Sequence, residues 1–159
     1  MIRRDGWRSA FAAAIEVHRP FPFTWGAHDC AILSADCIKA VTGLDLARNF
    51  RGHYDTKESA AAFLAMCGYE SAVDVVAARF TAIHPSQAVA GDIAVIKTRH
   101  GPATAPVMGA ELAAYAKDGR LGAVPLSEAV QAFRIEVSPT PPLPPVKPGA
   151  GDLPREGEG

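Results

Sequence analysis

Cysteine is scarce in this sequence, and its spacing is uninformative. The three residues, Cys30, Cys37 and Cys67, are an odd number with no CxxC pair. That argues against a disulfide framework and against a standard zinc site, and it fits reduced thiols. Long apolar runs are also missing. Nothing approaches the roughly 20 residues of a membrane span. The run after Trp7 is broken by Arg8, Ser9 and Glu16, so it does not read as a signal peptide. An excess of one charge is lacking as well: 16 basic residues face 17 acidic ones, for a net charge of −1. With no run of Lys or Arg, there is no electrostatic footprint for nucleic acid. No internal repeat is present.

What is present suits one folded unit. The 159 residues are 48% hydrophobic and 21% charged, enough for a single core. Residues 1–137 carry the apolar periodicity. Residues 138–159 hold seven of the 13 prolines and read as an extended, polyproline-type or disordered arm suited to partner binding.

Trp7, Phe11, Ala14 and Ile15 share one helical face, with Asp5 as the expected cap. That helix stops before Pro20 and Pro22. A second helix is expected from about Asp29 to Thr42, with Gly43 as its stop. Between Ala31 and Val41 only Ser34, Asp36 and Lys39 are polar, the pattern of a buried helix. Asp55 and Glu58 read as a capping box for a third helix ending at Gly68, and residues 71–79 as a short fourth. From Gly91 the apolar runs shorten to "GDIAVIK", "APVMGAEL", "LAAYAK" and "GAVPLS". These read as three or four antiparallel strands with a hairpin at Asp118-Gly119. Ser127 is expected to cap a last helix, "EAVQAF", before a strand at "RIEV". Helices followed by antiparallel strands make an α+β domain.

The candidate chemistry lies in "FTWGAHDCAILSADC", residues 23–37. Cys30 falls in the first turn of the buried helix, where unpaired N–H groups and the helix dipole favour a thiolate. Asp29 is the expected N-cap, and its charge opposes that thiolate. Trp25 and Gly26 would wall and floor a cleft. His100 and His28 are the two candidate bases for Cys30, with His100 preferred. His18, His53 and His84 sit in polar or Pro-bounded segments and read as surface residues. Cys37 and Cys67 read as core. Asp36 needs a partner if buried, and Lys39, Arg51 or a backbone N–H could supply it. A metal site from His28, Cys30 and Cys37 matches no known zinc spacing, and no cofactor is expected.

The segment around Trp25-Gly26 and Asp29-Cys30 resembles the nucleophile segment of NlpC-type papain-like cysteine peptidases. "AVAGDIAVI", residues 88–96, resembles the Gly-Asp segment of the same family. Trp25-Gly26, Asp29-Cys30, Ala35-Asp36, Thr42-Gly43, Arg51-Gly52-x-Tyr54 and Gly91-Asp92 together resemble a branch found in phages, prophages and gene transfer agents. The resemblance spans about residues 20–135. It implies a papain-like fold in which a Cys-bearing central helix packs on a small antiparallel sheet. It also implies that Asp92 supports the site. By the same resemblance a catalytic His should start the strand after the Gly-Asp strand, and "PVMGAEL" puts Val107 there. The third, orienting residue should fall near Ala113, Ala114 and Tyr115. The mismatch favours a catalytically degenerate tail-tip component of the virion. It would bind tail-hub proteins, with the prolines Pro141, Pro142, Pro144 and Pro145 in a strap. The alternatives are a cysteine hydrolase that cleaves peptidoglycan peptides, with Cys30 as nucleophile and His100 as base, and a stand-alone bacterial module for ligand capture.

Overall fold

The structure, a computed structural model, describes residues 1–137. The arm and its four prolines lie outside the described residues. Four helices come first: α1 (Trp7–His18), α2 (Cys30–Thr42), α3 (Lys57–Met66) and α4 (Ala72–Ala77). Six strands follow: β1 (Thr81–Ile83), β2 (Ile93–Thr98), β3 (Gly101–Pro106), β4 (Glu111–Tyr115), β5 (Leu121–Pro125) and β6 (Gln131–Arg134). The domain is α+β, with helices packed on a small antiparallel sheet.

The main sheet has the order β1-β6-β2-β3, and β4-β5 form a separate hairpin. All pairings are antiparallel. The hairpin turns at Asp118-Gly119, where Gly119 takes φ 80°, a conformation glycine adopts without strain. Proline lacks the N–H that a ladder needs, and β3, which carries Pro102 and Pro106, is an edge strand of the sheet.

α2 is the spine. Asp29 caps it by accepting from Ile32 N, and Gly43 ends it at φ 84°. Leu33, Cys37, Ile38 and Val41 pack with Phe11 and Ile15 of α1 and with Ile93, Val95 and Phe133 of the sheet. Cys37 is completely buried and Cys67 nearly so, both as core thiols.

Several local features differ from those the sequence suggests. α1 is preceded by Gly6 in the left-handed region with no side-chain cap, rather than capped by Asp5. The capping box of α3 is Thr56 with Ser59, one residue on from Asp55 and Glu58. "EAVQAF" is not a helix: a short 3-10 turn over Leu126–Glu128 leads into β6. Pairing on both sides, with β1 and β2, overrides its helical propensity. The second long strand is β3, five residues earlier than "PVMGAEL" suggests.

Both ends of the domain are tied together. Ile2 O accepts from Val137 N at 2.7 Å. Arg3 donates to Ile135 O at 2.9 Å, Ala90 O at 2.6 Å and Asp92 Oδ1 at 2.8 Å. Asp92 is fully buried and also accepts from Val89 N and Ile135 N. Arg134 Nε lies 3.2 Å from its other oxygen without hydrogen-bond geometry.

Candidate functional site

Cys30 occupies the first position of α2. The preceding loop is held by Asp29, whose buried carboxylate accepts three hydrogen bonds: Gly26 N and Ile32 N at 2.8 Å each, and Tyr54 Oη at 2.8 Å. Gly26 has φ 85°, and a Cβ there would sit 2.0 Å from Tyr54 O. Only glycine fits this approach. Gly52 N donates to Gly26 O at 3.1 Å, so the segment containing Arg51-Gly52-x-Tyr54 braces the cysteine loop.

The thiol itself is poorly suited to ionise. Cys30 is half-buried by exposure, yet burial pushes its pKa up to about 12, with the Asp29 charge as the second cause. Backbone N–H groups of Cys30 and Tyr115 act in the opposite direction and do not compensate. Thr104 Oγ1 of β3 donates to Cys30 O at 3.3 Å. Tyr115 Oη is buried with no hydrogen-bond partner among the described residues. Burial, followed by the charges of Cys30 and Asp29, raises its pKa.

Neither histidine expected as a base is bonded to Cys30: among the described residues no hydrogen bond joins its sulfur to an imidazole. The His28 ring turns away, stacks on Phe21 at 4.2 Å and brings Nδ1 to 2.9 Å from Nδ1 of His18. His100 is exposed in the turn before β3 and meets Trp25 edge to face at 6.2 Å. Trp25 contacts Phe23, and Phe23 contacts Tyr115. Val107 does not start the strand after the Gly-Asp strand. The strand after the Gly-Asp strand starts at Gly101, immediately after His100. Val107 is buried beyond the other end of β3, bridged to Leu112. The Asp92 carboxylate bonds Arg3, Val89 and Ile135, and among the described residues no hydrogen bond joins it to Cys30.

His18 is in the interior, not at the surface as its polar, Pro-bounded segment suggests. It is 2% exposed, and its Nε2 lies 2.6 Å from Asp36 Oδ2. Arg51 bridges Asp36 at 2.7 Å and Asp45 at 2.8 Å. Burial pushes Asp36 upward, but hydrogen bonds from His18 and Arg51 outweigh it, so its pKa lies below the ordinary carboxylate value. The signal was present: His18 continues the stripe of Phe11 and Ile15 at i+7 and i+3. Among the described residues no group of three or more His, Cys, Asp or Glu is placed to hold a metal ion. No helix there is long and apolar enough to cross a membrane. An open groove of about 630 Å³ runs along Arg3, Arg4, Trp7, Arg8 and Val89, not along Cys30.

A family model described as a domain of unknown function, DUF6950, matches residues 2–135. The chain belongs to the DUF6950 family. The DUF6950 match takes in every element from α1 to β6 and ends just before the proline-rich arm. No curated protein and no solved structure matches the chain.

Proposed function

We propose that this protein is a catalytically silent, papain-like (NlpC-type) component of a phage or gene-transfer-agent tail tip, carried in the virion and bound to tail-hub proteins. One observation carries the silent half of this reading: a Cys30 thiol pushed up to about 12 with no imidazole bonded to it. The thiolate is the nucleophile, and a thiol raised that far stays protonated at neutral pH. The Ile32 N–H at the helix start, a donor of the kind that holds an oxyanion, is already taken by Asp29. The tail-tip half rests on the resemblance carried jointly by Trp25-Gly26, Asp29-Cys30, Ala35-Asp36, Thr42-Gly43, Arg51-Gly52-x-Tyr54 and Gly91-Asp92. The arm at 138–159, with Pro141, Pro142, Pro144 and Pro145, would bind the hub as a strap.

The test has two arms. Cys30→Ala protein should enter tail particles as the wild type does, and wild-type protein should leave peptidoglycan peptides intact. Particles assembled with a chain lacking residues 138–159 should lose the protein. Normal incorporation of that truncated chain removes the strap.

A second reading, a cysteine hydrolase acting on peptidoglycan peptides, is favoured by one contact. His100 immediately precedes β3 and lies against Trp25. On that reading substrate binding would bring His100 to the sulfur, and peptide cleavage abolished by both Cys30→Ala and His100→Ala would establish it.

A further inference from the structure

The contact between His18 and His28 survives in a restricted set of protonation states. Their Nδ1 atoms are 2.9 Å apart, so one nitrogen must carry a proton and the other a lone pair. On its far side His18 Nε2 donates to Asp36, which Arg51 holds in place. A neutral pair satisfies this geometry, and so does a pair carrying one positive charge, because a single proton lies between the nitrogens in both. A doubly charged pair has a proton on each Nδ1, and two donors then face each other at bonding distance.

His28 is the ring that can leave. His18 is clamped between α1 and α2, whereas His28 sits in the loop, half-buried and stacked on Phe21, itself 47% exposed. The ionisable groups facing the pair are Asp36 from α2, Asp29 at the N-cap, and Arg51 with Asp45 behind Asp36. Asp36 compensates a charge on His18. No carboxylate bonds His28 among the described residues.

We infer that His18 and His28 form a proton-operated latch: a second proton breaks their Nδ1–Nδ1 contact and releases residues 19–28, the segment leading into Asp29-Cys30. The direction follows from linkage. Burial, then the His18 charge, holds the His28 pKa below its ordinary value. The closed form therefore binds the second proton more weakly than the open form. Closure is fully favoured above about pH 6.5 and is lost as pH falls through the lowered value. Of the loop's other ties, Thr24 N to His28 O at 2.8 Å, Phe23 N to Gly119 O at 2.7 Å and Gly52 N to Gly26 O at 3.1 Å are backbone bonds that do not titrate, and Gly26 N donates to the buried Asp29 carboxylate at 2.8 Å. The latch is independent of the tail-tip reading.

Amide hydrogen exchange of the full chain, from pH 8 to pH 4.5 and corrected for intrinsic rates, tests it. Below about pH 6.5, protection at Thr24 and His28 should fall by up to about tenfold per pH unit. Protection in β2 and β3 should stay constant. His28→Asn should make the loop's profile flat with pH. A ring-nitrogen titration of wild-type protein covers the case in which the variant does not fold. It should show one protonated and one bare Nδ1 at pH 8, with His28 titrating below 6.5. Constant protection in wild type, an unchanged pH response in His28→Asn, or two protonated Nδ1 atoms at pH 8 overturns the latch. So does a response abolished by a chelator, which would make the two nitrogens ligands of a metal ion.

Discussion

Asp29 and Asp92 are both buried acids that follow a glycine with positive φ, Asp29 three residues after Gly26 and Asp92 directly after Gly91, yet their surroundings differ. Asp92 faces two arginines and two backbone N–H groups, so its charge is locally neutralised and serves to join the chain ends to the sheet. Asp29 receives three hydrogen bonds from neutral donors and, among the described residues, no ion pair. Its field therefore reaches its neighbours. It raises Cys30 and, after burial, also raises Tyr54. One carboxylate is a fastener; the other both fastens the loop and suppresses the thiol beside it.

The sharpest way to break this contrast is Asp92→Ala. Removing one member of a buried ion pair strands Arg3, whose side chain is 4% exposed, and should cost about 3–5 kcal/mol in urea denaturation. Gly26→Ala comes next. It combines positive φ with a clash on Tyr54 O and should cost more than about 2 kcal/mol. Asp29→Asn should destabilise by about 1–3 kcal/mol through weakened hydrogen bonds. It should also lower the Cys30 pKa, seen as faster alkylation at pH 9. Burial, the larger cause, remains, so the thiol stays above its ordinary value. Asp92→Asn should leave that alkylation rate unchanged, which separates the two acids most directly. Cys30→Ala should have the smallest effect, about 1 kcal/mol or less.

The sequence shows α2 clearly because three local signals agree there: Asp29 as cap, an apolar body, and Gly43 as stop. The β4-β5 hairpin is visible for a similar reason, through Asp118-Gly119. β3 and β6 are not visible. "GPATAP" has weak strand propensity, and "QAFR" reads as helix. Both become strands through partners distant in the chain. The site divides the same way. The Asp29-Cys30 junction can be read locally. The His18, His28, Asp36 and Arg51 network draws on three separate segments and becomes visible only when α1 lies on α2. Val107 misses the start of the second long strand because the turn between β2 and β3 falls at Arg99-His100, earlier than the apolar pattern implies.

The hydrogen bond from Val137 to Ile2 makes the domain nearly circular. A short linker across that bond would give a covalently closed ring, and the polypeptide could then be cut beside the exposed Asp118 in the β4-β5 turn. Such a permutant would keep every helix and strand while detaching the proline-rich arm from its native point of departure.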